Sequence, residues 1–201
     1  MRLLFISHLF PDGQDPGRGT DSIQILAALA DRWEIRVVAL RPVAFGSRKG
    51  GWHPRAADVG LHPEFVATPT LPIFGARWNH RLAARSLRKP LDRLRRDWPF
   101  DAVLCSGLHP DACAVSGLVD EFRFRFVTLA IGTGTESCLG SSLSRKMVGS
   151  HLSRSSGVVT DSTTLTALLG KMGFRKERMI LASTLPVAAE ACHRLLLPTR
   201  G

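Results

Sequence analysis

The first thirty residues constrain the fold more than any other stretch of the chain. A short apolar segment at residues 3–7 is followed by a glycine- and proline-rich loop at residues 11–20. Apolar residues at helical spacing come next, namely Ile23, Ile25, Leu26 and Leu29. A buried strand that leads through a glycine loop into a helix predicts an α/β fold, and the free N–H groups at the helix start favour an anion. Because open α/β sheets bind ligands at the carboxyl ends of their strands, Gly17, Gly19 and Thr20 form the first candidate site.

The same alternation recurs along the chain. Further strands are predicted at residues 34–40, 65–67, 101–105, 125–130, 157–160 and 178–182, with helical segments between most of them. This order predicts a Rossmann-like parallel β-sheet with helices on both faces. Residues 41–63 are predicted to be a long loop, and Pro90 is expected to kink the helical segment at residues 76–98 or to start a second helix. Residues 1–185 form one predicted domain, and residues 186–201 an apolar tail that can form a short helix.

Composition excludes several classes of protein. With 44% hydrophobic residues among 201, the chain can bury a full core, so disorder is excluded. It has neither a signal peptide nor an apolar run of about 18 residues, which predicts a cytoplasmic protein. The four cysteines and seven histidines are scattered, so we expect no metal site, no cofactor and no disulfide framework. The net charge of +10 favours phosphate-rich partners and is compatible with peripheral attachment at the inner face of the membrane.

The first glycine loop differs from the dinucleotide-binding fingerprint. Ser22 stands where the third glycine belongs, the loop is too long for the tight turn, and the second strand ends without a ribose-binding acid. A nicotinamide cofactor is therefore disfavoured, although Arg41 leaves an NADP-dependent reductase as a third hypothesis. The alternative role for these glycines is purely geometric, in a long connection between strand and helix.

Two further candidate clusters follow predicted strands. His109 comes after the strand at residues 101–105, where it can donate a hydrogen bond, act as a base or brace the next helix. Gly132, Thr133 and Glu136 follow the strand at residues 125–130 and suit sugar or phosphate recognition, or form a plain polar loop.

A basic face is predicted on the helical segment at residues 76–98. Its cations recur mostly at spacings of three and four residues: Arg77, Arg81, Arg85, Arg88 and Lys89. Such a face can lie on an anionic membrane or, less favourably, follow nucleic-acid phosphates. It can also be the solvated side of a helix that packs its leucines on the sheet.

Together these segments resemble the N-terminal half of the family-4, GT-B-type glycosyltransferases. The matching stretches are residues 2–11, 16–20, 26–30, 100–104, 109–111, 126–128 and 156–162, so the resemblance spans about residues 1–182. It implies an acceptor-binding domain of a retaining, hexosyl-type transferase with a nucleotide-sugar donor and an acceptor glycan or lipid. It also places Gly17, Gly19 and Thr20 near the donor phosphates.

The chain departs from the family at two points. The loop that usually carries a histidine near the reacting sugar reads Ile131-Gly132 here, and the family's donor domain does not follow the last strand. We therefore expect an enzyme half that is inactive or nearly so by itself and works with a separate donor domain. The rival hypothesis from another class is a non-catalytic basic module that docks on an anionic membrane or nucleic acid.

Overall fold

A seven-stranded parallel sheet forms the centre of the protein. The computed structural model describes residues 1–11, 15, 17–43, 61, 63–71, 77–132 and 135–198. The strands are β1 (Arg2–Ser7), β2 (Glu34–Val43), β3 (Pro63–Pro69), β4 (Ala102–Ser106), β5 (Arg125–Ala130), β6 (Gly157–Thr160) and β7 (Met179–Leu181). Their order across the sheet is β3-β2-β1-β4-β5-β6-β7, and all the pairs are parallel. The strand order therefore reverses between β1 and β4, because β2 and β3 are added on one side of β1 and β4 to β7 on the other.

Helices cover both faces of this sheet. They are α1 (Thr20–Leu29), α2 (Asn79–Asp97), α3 (Cys113–Ser116), α4 (Val119–Phe122), α5 (Ser142–Leu152), α6 (Thr163–Lys171) and α7 (Leu185–Leu196). A π-helical turn (Leu108–Ala112) precedes α3, and short 3-10 turns lie at Ser137–Leu139 and Lys176–Arg178. No helix among the described residues has the length and apolarity that crossing a bilayer requires.

The alternation of side chains along β1 divides the core in two. Leu4 and Ile6 face the cluster under α2, α3 and α5, whereas Leu3 and Phe5 face the cluster under α1 and α7. All four side chains are fully buried. A strand buried on both faces explains why the N-terminal run is continuously apolar instead of alternating. The predicted fold class, a Rossmann-like parallel sheet with helices on both faces, is confirmed.

The loop predicted for residues 41–63 is wrong at both of its ends. β2 continues to Val43, and β3 begins at Pro63, because these strands pair with each other from Val37↔Pro63 to Val43↔Pro69. Since β1 stops opposite Ala39, the last residues of β2 have a neighbour on one side only. Pro42 is tolerated there because its missing N–H breaks no bond to a second neighbour. Residues 44–60 lie outside the described part of the chain.

Pro90 does not start a second helix, which is one of its two predicted effects. It lies inside a single helix, α2, and its side chain is buried. A proline in a helix interior costs about 3 kcal/mol. The buried side chains of Leu87, Leu91 and Leu94 on the same helix each contribute about 1.5–3 kcal/mol of burial, so packing outweighs that cost.

Two other segments refine the sequence prediction. The helical segment predicted between β4 and β5 consists of three short pieces, which are the π-helical turn, α3 and α4. The C-terminal segment forms α7, which is N-capped by the Thr184 hydroxyl and buries Ala188, Ala191 and Cys192 in the core under α1. The division of the chain at residue 185 stays a prediction.

Candidate functional site

A histidine and an aspartate meet where the strand order reverses. His8 directly follows β1, and Asp111 lies in the π-helical turn after β4. The Asp111 Oδ2 atom accepts a hydrogen bond from the His8 backbone N–H at 2.8 Å and lies 2.7 Å from His8 Nδ1. The pair therefore bridges the carboxyl ends of β1 and β4, the point at which open α/β sheets bind ligands.

The two partners differ strongly in their exposure. Asp111 is fully buried, whereas the His8 side chain is 21% exposed. Burial lowers the pKa of His8, but the charge of Asp111 and its hydrogen bond outweigh burial, so the pKa lies above its usual 6.5. The nearby positive charges of Arg18 and Arg41 oppose this rise. A carboxylate without solvent contact thus favours the protonated form of a partly buried imidazole.

This geometry gives the imidazole a defined chemical role. With Nδ1 held by a carboxylate, a neutral His8 carries its proton on Nδ1 and leaves Nε2 as the acceptor. A protonated His8 instead presents a charged N–H donor at Nε2. The pair can therefore accept a proton from a hydroxyl group or donate a hydrogen bond to an anion at this edge of the sheet.

The glycine loop reaches the same edge through Gly19. Gly19 has a left-handed φ of 66° and precedes α1 without a capping side chain. A Cβ on Gly19 would come within 1.7 Å of the Leu9 carbonyl oxygen, so the loop is packed directly on the residue after His8. Gly17 is exposed, and Thr20 is the first residue of α1. The structure thus brings Gly19 and Thr20 to the end of β1, as the sequence predicts.

His109 lies in a different environment from His8. Its ring centroid is 5.7 Å from that of His80, which in turn is 5.1 Å from that of His151. Burial, followed by the charge of His80, lowers the pKa of His109 to about 4. Burial likewise lowers the pKa of His80 and of His151. The three imidazoles are therefore neutral at pH 7.

These histidines line one open cavity, which we call the α2–α5 groove. It has a volume of about 830 Å³ and is lined by the start of α2, one side of α5 from Leu143 to His151, His109 and the 3-10 turn at Ser137–Leu139. Both helix N-termini lie at the carboxyl edge of the sheet, because each helix follows a strand. Within the described part of the chain, no group of three or more His, Cys, Asp or Glu residues has an arrangement that could hold a metal ion.

The loop after β5 has its described polar groups engaged with the next connection. The Glu136 carboxylate accepts a hydrogen bond from the Ser162 hydroxyl, which also caps α6. The Gly132 N–H donates to Asp161 at 3.1 Å. These contacts tie the loop to the β6–α6 connection. Thr133, the remaining candidate of this cluster, lies outside the described residues.

The predicted basic face is present on α2 and on the turn before it. Arg77, Arg81, Arg85, Arg88 and Lys89 are all exposed. Arg88 pairs with Glu121 at 3.0 Å, and farther along the helix Arg93 pairs with Glu64. Arg77 and Arg81 instead stack on the Trp78 ring, with their guanidinium carbons 5.5 and 4.3 Å from its centroid.

Sequence reasoning did not single out His8 and Asp111 as a site. The two residues are 103 positions apart, and only the pairing of β1 with β4 brings them together. The available signal was positional, because each residue follows an apolar strand at a predicted ligand-binding edge.

Comparison with solved structures shows which folds this architecture is similar to. The chain is similar to Anabaena Alr3699/HepE, solved in complex with UDP and glucose, at 16% identity and a TM-score of 0.57, covering 90% of this chain and 43% of that one. It is similarly close to the UDP-GlcNAc 2-epimerase of Neisseria meningitidis, solved with UDP-GlcNAc, at 11% identity and a TM-score of 0.57, covering 93% and 47%. The chain has the fold of one GT-B-type domain.

Other comparisons set the limits of this likeness. The UDP-GlcNAc 2-epimerase of Methanocaldococcus jannaschii matches at 11% identity and a TM-score of 0.54, covering 90% of this chain and 45% of that one. The chain thus spans less than half the length of these solved structures. No protein-family model and no curated protein sequence matches it.

Proposed function

We propose that this GT-B-type domain is the acceptor-side half of a glycosyltransferase that uses a nucleotide-sugar donor. The His8–Asp111 pair carries the proposal. It lies at the reversal of strand order, and its imidazole is poised to exchange a proton or to hold a hydroxyl group. Glycosyl transfer needs both a positioned acceptor hydroxyl and a stabilised leaving diphosphate, and this domain offers the first of them.

The glycine loop supplies one wall of the same site. Gly19 sets the start of α1 against the residue after His8, and the uncapped N-terminus of α1 favours a negative group. We assign Gly17, Gly19 and Thr20 to the side that approaches the donor phosphate or the transferred sugar. The solved structures with UDP or a UDP-sugar support a uridine nucleotide as the donor class to test first.

The proposal also covers the stereochemistry of the transfer and the role of a separate donor domain. The resemblance to family-4 enzymes implies retention of the anomeric configuration and a donor domain that holds the diphosphate. In this arrangement His8 orients the acceptor hydroxyl, and the donor domain supplies the remaining groups that stabilise the leaving diphosphate.

The experiment compares the chain alone with the chain combined with a separately expressed donor domain. UDP release and product formation are measured with UDP-glucose and UDP-GlcNAc, and NMR of the product sugar reports its anomeric configuration. We expect transfer only in the combination, with retention, and a loss of about 10²–10⁴-fold for His8→Gln. Robust transfer by the isolated chain would contradict the half-enzyme proposal, and full activity of a folded His8→Gln variant would remove its basis.

A second candidate function rests on the basic face of α2. Because Arg81 and Arg85 are exposed there without an ion pair among the described residues, a non-catalytic module that docks on anionic membranes is the alternative. Cosedimentation with phosphatidylglycerol vesicles tests it, using the charge reversal of Arg81, Arg85 and Arg88 together. Unchanged binding by that variant contradicts electrostatic docking, and retention of RNA or DNA by the unmodified chain would favour a nucleic-acid partner instead.

A further inference from the structure

The α2–α5 groove combines features that the transfer site does not use. Its volume of about 830 Å³ falls in the range of about 300–1,000 Å³ that small-molecule sites occupy. Its rim exposes large apolar surface, since Trp78 is 40% and Leu143 is 72% exposed. Met147 adds a further apolar side chain to the lining. An exposed apolar rim around a concave site is a feature of ligand-binding grooves.

The charged side chains that line the α2–α5 groove, among the described residues, are all positive. Arg77 and Arg81 line it, and no aspartate or glutamate does so among the described residues. Farther along α2, Glu121 and Glu64 pair with Arg88 and Arg93, which interrupts the basic stripe. Arg77 and Arg81 are the charged side chains in the lining, whereas Arg85 and Lys89 lie farther along α2 and outside it. Two guanidinium groups at one end of a groove suit a single anionic group such as a phosphate.

The histidines that line the groove are neutral, and some of their ring nitrogens have no hydrogen-bond partner among the described residues. The Nε2 atom of His109 is buried and has no hydrogen-bond partner among the described residues. His80, which is 7% exposed, lies against the same imidazole. Because burial disfavours protonation of these rings, they add hydrogen-bonding capacity without adding charge. A ligand with an anionic head, polar atoms near it and an apolar chain matches all three parts of the groove.

We propose that the α2–α5 groove binds a lipid phosphate, as the anchoring part of an acceptor whose reacting hydroxyl group is oriented by His8. The phosphate lies at Arg77 and Arg81, and the hydrocarbon chain lies on Trp78, Leu143 and Met147. The inference rests on the proposed acceptor-side function and names the chemical class of that acceptor. In this proposal Arg77 and Arg81 of the basic face bind one small ligand and not a membrane surface.

Trp78 provides a direct signal for this binding. Trp33 and Trp98 are 3% and 2% exposed, so their fluorescence is insensitive to a ligand on the surface. Replacing Trp52, which lies outside the described residues, by Phe leaves Trp78 as the responsive indole. The probe is dodecyl phosphate below its critical micelle concentration, compared with dodecyl maltoside and with inorganic phosphate. We expect a saturable blue shift with dodecyl phosphate alone and none after Trp78→Phe.

Matched variants separate the groove from the rest of the surface. Arg81→Glu and Leu143→Asp should each weaken the binding of dodecyl phosphate by at least about tenfold, because one removes a charge-assisted contact and the other an apolar contact. Arg85→Glu, on the same helix but outside the groove, and Leu181→Asp, on an exposed strand end, should stay within about twofold of the parent.

Specific results would overturn the inference. An equal response to dodecyl maltoside would show an apolar site without anion recognition, and a response to phosphatidylglycerol vesicles alone would show surface docking. Failure of the inference is distinguishable from failure of the proposed function. If dodecyl phosphate does not bind but the combined halves glycosylate a water-soluble acceptor, only the lipid-phosphate inference fails. If dodecyl phosphate binds as expected but the combined halves transfer no sugar, the proposed function fails and the groove keeps its ligand class.

Discussion

Replacing Asp111 by Asn tests whether the His8–Asp111 contact is an ion pair that sets the protonation of His8. The substitution conserves size and removes the charge. In the parent protein the attraction to Asp111 outweighs burial and raises the pKa of His8. In Asp111→Asn burial remains while the attraction is lost, so the pKa of His8 should fall below 6.5. We expect a fall of at least about one pH unit, which corresponds to about 1.4 kcal/mol.

The magnitude follows from two opposing contributions. Asp111 Oδ2 makes two contacts with His8, and converting each from a charge-assisted to a neutral hydrogen bond costs about 1 kcal/mol. Against this, the fully buried carboxylate has an Oδ1 atom without a partner among the described residues. Removing that charge recovers part of a desolvation penalty of several kcal/mol. The net loss in free energy of unfolding near pH 7 should therefore be small, about 0–2 kcal/mol, although the His8 pKa moves substantially.

The direction of the His8 pKa shift determines the pH range in which Asp111→Asn loses stability. A raised pKa in the folded parent makes His8 contribute stability that is fully present below pH 6.5 and is lost as pH rises through the folded-state pKa. Asp111→Asn should thus lose most stability at acidic pH and least at alkaline pH. Imidazole NMR titration measures the pKa, and urea unfolding at several pH values measures the stability. Asp120→Asn, which removes an exposed partner of Arg154, is the control.

An unchanged His8 pKa in a folded Asp111→Asn variant would refute this reasoning. So would a loss of stability that is the same at every pH, because it would mean that the contact is a neutral hydrogen bond. A comparable shift in Asp120→Asn would show that net charge, and not the buried pair, controls His8.

Two further predictions concern the same edge of the sheet. Gly19→Ala should lower the free energy of unfolding by at least about 2 kcal/mol, because a Cβ there meets the Leu9 carbonyl oxygen. Gly132→Ala, which has a φ of 91° but open space around it, should lower it by about 1 kcal/mol. Equal losses on urea unfolding would contradict the steric argument. His109, with its pKa lowered to about 4, should make the protein lose stability as pH falls from 6.5 towards 4. We expect a loss of about 1–2 kcal/mol in the free energy of unfolding, after allowing for solvent at the groove. His109→Gln should flatten the dependence of the urea midpoint on pH. An unchanged slope would mean that other groups cause the dependence.

The sequence predicts the fold well where local and long-range signals agree. β5 and β6 are correct to the residue because each is a short run rich in residues that favour strands, such as Val127, Val158 and Val159. The ends of β2 and β3 are missed because Pro42 and Pro63 usually terminate strands. Their pairing on a single side of β2 overrides that local preference. Pro90 is a similar case, in which the burial of α2 decides against a local helix-breaking signal.

The candidate site is less predictable because its parts are joined only by the sheet. The position of Gly19 and Thr20 at the end of β1 is predicted from local pattern, since a glycine loop between strand and helix is a contiguous signal. The partnership of His8 with Asp111 depends on β1 lying beside β4, which no local pattern encodes. His109, predicted for the same edge, instead turns into the α2–α5 groove beside His80. A strand end thus predicts where a residue lies more reliably than what it contacts.

Direct contact with Asp111 on one side and burial beside His80 on the other explain why two histidines at one sheet edge carry opposite pKa shifts. The charge of Asp111 raises the pKa of both His8 and His109. For His8 the direct hydrogen bond tips the balance above 6.5, but for His109 burial and the charge of His80 outweigh Asp111. Pairs of titratable groups whose environments separate their pKa values mark division of labour in active sites. Under the proposed function, His8 is the group that exchanges a proton at the strand ends, while His109 stays neutral and offers the groove a hydrogen bond. Substituting Asp111 should therefore alter catalysis by the combined halves more than binding of dodecyl phosphate.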